Sequence, residues 1–66
     1  METTTEITVV GGKTYRVEGD VRDVERTILD AARGSIMQFA WLLDADSGER
    51  VALNPDHVIA LRVLKA

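Results

Sequence analysis

Apolar side chains recur at odd-numbered positions on both sides of a Gly-Gly pair: Ile7 and Val9 before it, Tyr15 and Val17 after it. Alternation of this kind marks half-buried β-strands, and the glycines mark the turn between them. A loop with an odd number of residues keeps all four side chains on one face, whereas a two-residue loop splits them. The predicted turn is therefore the three-residue loop Val10-Gly11-Gly12, with Gly12 in the left-handed conformation of a G1 bulge. A type I′ turn centred on Gly11-Gly12 is the competing reading, and it divides the apolar set.

The period then changes. Val21, Val24, Ile28, Ala31 and Ala32 fall within an arc of about 100° when each residue advances the chain by ~100°. Asp20 is placed to cap the start of this helix, with Asp23 following as a shortened form of the capping box. Gly34 stops it, and Arg33 puts a cation near the negative end of the dipole. Arg22, Arg26 and Arg33 gather on the opposite side beside Asp23 and Asp30, and Leu29 borders them. The spacing predicts that Asp30 pairs with Arg26 and Arg33.

Two further strands are expected around Asp44-Ala45-Asp46-Ser47-Gly48, one from Ile36 to Leu43 and one from Glu49 to Leu53. The odd-numbered set Phe39, Trp41, Leu43, Val51 and Leu53 again asks for an odd loop, Asp46-Ser47-Gly48 with a left-handed Gly48. Asn54-Pro55 breaks the strand, and Asn54-Pro55-Asp56-His57 reads as a capped helical turn launching a last strand, Val58 to Leu64. The fold class is thus α+β in the order ββαβββ, an antiparallel sheet or small open barrel with one amphipathic helix packed on it. Residues 1–5 are expected to form a flexible tail ahead of a single domain over 6–64.

The third and fifth strands carry apolar residues on both faces. In the third, Met37, Phe39, Trp41 and Leu43 share one face, assigned to the core, leaving Ile36, Ala40 and Leu42 behind; in the fifth, Ile59, Leu61 and Val63 leave Val58, Ala60 and Leu64, interrupted by Arg62. One helix of a dozen residues, ~18 Å long, covers only one face of a few strands. Burial of one such side chain is worth ~1.5–3 kcal/mol, so several left wet would forfeit much of a small domain's stability. Two remedies are open: the sheet curls into a small barrel with the helix plugging one opening, or chains self-associate as a dimer or ring, which is the favoured reading, through Ile36, Ala40, Leu42, Val58, Ala60 and Leu64. The first strand is the candidate edge for pairing with another chain.

Composition narrows the chemistry. The 66 residues contain no cysteine and one histidine, His57, which removes disulfides, thiolate chemistry and a multi-histidine zinc site within one chain. Net charge is −3 and the isoelectric point about 4.9, the wrong sign for a chain devoted to phosphate backbone. The acidic start Met1-Glu2-Thr3-Thr4-Thr5-Glu6 is no signal peptide, no lipidation signal is readable, and no apolar run is long enough for a membrane helix, so a cytoplasmic setting is expected.

Motifs that suggest chemistry fail on spacing. Counted from Asp44, an EF-hand loop needs glycine where Glu49 stands and glutamate where Pro55 stands. Gly11-Gly12-Lys13-Thr14 ends like a phosphate loop, but Ile7 occupies the position of its first glycine and a strand follows. His57 beside Asp56 lacks a nucleophile, and Ser35 and Ser47 lie in turns. No catalytic, metal or cofactor residue is assigned. Arg22, Arg26, Leu29 and Arg33 form the candidate partner surface. Tyr15, Phe39 and Trp41 would suit stacking on single-stranded nucleic acid, with Arg16, Arg50 and Arg62 as cations, but their parity assigns them to the core.

Two segments resemble the short FlbD-type flagellar and swarming proteins. Gly12-Lys13-Thr14-Tyr15-Arg16-Val17-Glu18, running into Val21, Val24 and Ile28, is similar to that family's closing strand and helix. The stretch from Ser47-Gly48-Glu49-Arg50-Val51 through Asn54-Pro55-Asp56-His57 to Ile59 is similar to its opening hairpin. Their order here is reversed, as in a circular permutation, which requires termini that lie close together. The matched residues form strands, turns and a helix, so the resemblance implies fold and not function, and no flagellar role is carried over; compact chains of this kind are also frequent in phages, and a bacterial or phage source is expected. The functional expectation is a non-enzymatic module that self-associates and binds a protein partner; the alternative is a small nucleic-acid-binding or regulatory barrel.

Overall fold

The computed structural model describes residues 3–34 and 38–64. Within them the chain forms β1 (Thr4–Val9), β2 (Thr14–Glu18), α1 (Val21–Ala32), β3 (Ala40–Leu43), β4 (Arg50–Leu53), a 3₁₀ turn (Pro55–His57) and β5 (Val58–Leu64). This is the expected α+β order ββαβββ. One three-stranded antiparallel sheet runs β2-β1-β5, and β3-β4 forms a second sheet of two strands. A single bridge between Val17 and Asp44 links them, where the Ala45 N–H donates to the Arg16 carbonyl at 2.9 Å. The described strands do not close into a barrel.

The first hairpin has the odd loop that parity demands. Ile7 pairs with Tyr15, the Val9 N–H donates to the Lys13 carbonyl at 2.9 Å, and the Gly12 N–H donates to the Val9 carbonyl at 2.9 Å. Both glycines have positive φ, Gly11 at 96° and Gly12 at 89°, so the turn uses the left-handed freedom twice where one residue was expected. Ile7 and Val17 are fully buried, with Val9 and Tyr15 half-buried against the same core.

Helix α1 begins as predicted: the Asp20 carboxylate accepts from the Arg22 and Asp23 N–H groups at 2.9 and 3.0 Å. Arg33 is its C-cap, and Gly34 follows. Val24, Ile28 and Ala31 are buried and Val21 half-buried, while Ala32 is exposed. The chain leading into the helix is held by Thr5, fully buried, whose hydroxyl donates to the Gly19 carbonyl at 3.0 Å. Thr4 and Thr5 therefore belong to β1 rather than to a tail. A buried hydroxyl needs a partner, and strand register delivers this one.

Three expectations are corrected. The β3–β4 loop is even. Asp44 pairs with Glu49, whose carbonyl accepts from the Asp44 N–H at 2.8 Å, leaving four residues, Ala45 to Gly48, outside the ladder. Gly48 has the left-handed φ of 75° that was expected, but the loop opens one residue earlier. Ala40 therefore faces Leu53 and Leu42 faces Val51, and these pairs, rather than Phe39, Trp41 and Leu43, pack with Val24, Ile28 and Ala31. Second, β1 lies in the centre of its sheet, so β5 and not β1 is an edge. Third, β3 begins at Ala40; Ser35, Ile36 and Met37 lie outside the described residues.

Candidate functional site

The four-residue loop decides which side chains face outward. Asp44 organises it: the Ser47 hydroxyl donates to the Asp44 carboxylate at 2.7 Å, and the Glu49 N–H donates to the Ser47 hydroxyl at 3.2 Å. The Ser47 hydroxyl bond does most to hold the Asp44 carboxyl below its usual range; against some desolvation, the Asp46 and Ser47 N–H groups and the Arg16 guanidinium add to it. Arg16 reaches the same turn through Asp46, at 3.4 Å.

With that register fixed, Phe39, Trp41 and Leu43 project away from the core and are 51%, 53% and 42% exposed. Ala52 stands opposite Trp41, and Arg50 stands opposite Leu43. The Arg50 guanidinium lies over the Trp41 ring, 4.7 Å from its centroid. A shallow recess of about 290 Å³ is lined by Glu18, Trp41, Leu42, Leu43 and Arg50. A second, about 300 Å³, takes in Tyr15, Phe39, Ala52 and His57. Lys13 lies over the Tyr15 ring at 5.1 Å from its centroid. The outward side of the small sheet is thus an aromatic and aliphatic strip with one cation, Arg50, stacked on it, while the Lys13–Tyr15 stack belongs to the neighbouring sheet.

The residues assigned from sequence to an oligomer interface do not form one surface. Ala40 and Leu42 are buried beneath α1, so they are core of the single chain. Val58 is half-buried against that core, opposite Val9. Ala60 and Leu64 pair with Thr8 and Thr4, while Ile36 lies outside the described residues. The helix surface is placed as expected: Arg22, Arg26, Leu29 and Arg33 are all exposed and line a shallow recess of about 340 Å³. The ion pairs predicted between Asp30 and Arg26 or Arg33 do not form; the pairs among the described residues are Arg16–Asp46 and Arg62–Glu6.

Asn54-Pro55-Asp56-His57 is the expected turn, with the Asn54 side chain accepting from the Asp56 N–H at 2.9 Å. Among the described residues no cluster of three or more His, Asp or Glu side chains is placed to hold a metal ion. No described helix is long and apolar enough to cross a membrane. No family model, curated protein or solved structure matches the chain.

Sequence reasoning missed the outward strip because it took the larger apolar set for the core. The signal that finds it is the Asp44-x-x-Ser47 pattern. A side chain that accepts from its own turn marks the residue where a loop opens.

Proposed function

We propose that the chain is a non-enzymatic interaction module that self-associates and binds a partner protein through the outer face of β3–β4. The observation that carries the reading is the exposure of Phe39, Trp41 and Leu43 side by side on one sheet face. Exposed aromatic and aliphatic groups beside an arginine match the make-up of protein interface centres, where Trp, Tyr and Arg dominate the binding energy. Arg50 and Glu18, of opposite sign at the same recess, favour a protein segment that presents apolar side chains with polar flanks. The helix face of Arg22, Arg26, Leu29 and Arg33, with Glu25 and Asp30 at the same recess, offers a second contact of mixed charge with arginine in excess.

The test uses Trp41, the single tryptophan. A partner recovered with the wild type from its native host should be lost with Trp41→Ser while the far-UV spectrum is kept. Titrating the recovered partner should shift Trp41 emission to the blue. Retention by the serine variant rejects this face. Light scattering at micromolar concentration that finds only a 7.3 kDa species rejects self-association.

A second reading is single-strand nucleic-acid binding, favoured by the outward turn of Trp41 and Phe39 and by the Arg50 stack. Arg16 and Arg62 serve it less well than the sequence implied, since each has a carboxylate partner. Absence of salt-sensitive binding in a low-salt gel shift removes this reading.

A further inference from the structure

The seven-residue β5 is the longest strand described, and it lies at the rim of its sheet with β1 on one side only. Six of its seven side chains are apolar, and its one charge, Arg62, sits 3.7 Å from Glu6 on β1. The opposite rim of that sheet differs, because Asp44 and Ala45 bond to the end of β2. Monomeric proteins blunt open edges with lysine, proline or inward charges. β5 has no lysine or proline; its one charge, Arg62, is drawn to Glu6, and its one bulge is confined to the start, where the register shifts between Thr8 and Val9, so most of the edge stays open. Ile59 and Val63 are its most exposed apolar groups, at 64% and 57%.

We infer that β5 pairs antiparallel with the β5 of a second copy about a two-fold axis at Leu61. The inference rests on the self-association proposed above and names its surface. Facing residues in a sheet point to the same side, and an axis normal to the sheet preserves sides, so the axis must pass through a residue position rather than between two. An axis at Arg62 sets two guanidinium groups directly opposite each other, which is destabilising. An axis at Ala60 leaves Val63 beyond the strand pairing. At Leu61, Ile59 of each copy faces Val63 of the other and Arg62 faces Ala60. The product is one six-stranded sheet, β2-β1-β5-β5-β1-β2, with both helices on one side and a floor of Ile59, Leu61 and Val63 between them.

The chain has no cysteine, so single introduced thiols report the register. Leu61→Cys brings facing Cα atoms to ~4.5–5.5 Å, within disulfide reach, whereas two Val63→Cys positions lie about 13 Å apart along the strands. Mild oxidation should give a covalent dimer from Leu61→Cys and none from Val63→Cys. Ile59→Lys and Val63→Lys, at exposed sites, should keep the far-UV spectrum and weaken dimerisation about tenfold or more in sedimentation equilibrium. Dimers that survive both lysines, or cross-linking at Val63→Cys instead, overturn the edge pairing while self-association stands. A wild type that stays at 7.3 kDa at every concentration overturns both and leaves the β5 edge to a different chain.

Discussion

Arg50 lies diagonally across the β3–β4 pair from Trp41, with its guanidinium 4.7 Å from the ring centroid on the side that faces away from α1. Diagonal neighbours in an antiparallel pair are within reach of long and aromatic side chains, so the register alone allows the stack. At an exposed site such a contact is worth about 0.5–1 kcal/mol. Arg50→Ala should therefore lower stability by that amount and alter Trp41 emission without changing the far-UV spectrum. Urea denaturation followed by both signals measures it; a loss well above this range would mean Arg50 supports the fold in some other way.

Leu42 and Trp41 are adjacent in sequence and opposite in consequence. Leu42 is buried with Ile28 and Leu53, whereas Trp41 is half in solvent. Leu42→Ala removes a side chain from the core and should cost about 2–5 kcal/mol. For a domain this small that is a large part of the total. Trp41→Ser should cost far less, because its side chain loses little packing. From parity, Leu42→Asp would be expected to split an oligomer and spare the helix. With Leu42 beneath α1, that substitution should instead abolish the helical signal in circular dichroism.

The first hairpin, the helix N-cap and the Asn54-Pro55 turn were legible because each depends on chemistry within a few residues: two glycines, an aspartate at an N-cap, a proline that cannot donate. The facing of β3 was not. It hangs on whether the loop after Leu43 holds three residues or four, and one residue reverses every side chain on the strand. Phe39, Trp41 and Leu43 are bulkier than Ala40 and Leu42, so volume argued for the wrong face. What settles the matter is that Ala40 and Leu42 share a face with Leu53 and meet the short side chains of Val24 and Ala31. Strand order was equally out of reach. Nothing local to β1 says that β5 returns to its far side, a pairing between residues some fifty positions apart.

The turn at Asp44 makes stability depend on pH. Its carboxyl titrates below the ordinary range, chiefly because the Ser47 hydroxyl donates to the charged form. A group with a lower pKa in the folded state binds fewer protons there than in the unfolded chain. Stability from Asp44 is therefore complete above the ordinary carboxylate pKa and is lost as pH falls through the folded value. Ser47→Ala should raise the Asp44 pKa toward its usual value and narrow that window. Carboxyl carbon chemical shifts, followed through an acid titration of both proteins, check the sign; an unmoved midpoint would show that the backbone donors alone set it.

Thr4 pairs with Leu64, so the first and last described strands run side by side with their outer ends together. Joining Ala66 to Met1 would connect β5 to β1 through the five residues 65, 66, 1, 2 and 3. That length lies within the range of common hairpin loops. Opening the chain between Ser35 and Ile36 then yields the element order β3-β4-β5-β1-β2-α1. Every pairing of the three-stranded sheet and the contact between α1 and β3 would survive on paper. The covalent link between α1 and β3 would be lost, while the one between β5 and β1 would shorten a long-range closure. Loop-closure cost grows only slowly with loop length, so the exchange should leave stability within about 1 kcal/mol of the parent. Thermal unfolding and the Trp41 emission maximum measure the result. A permutant that stays unfolded would show that the connection from α1 to β3 is needed to bring the second sheet onto the helix.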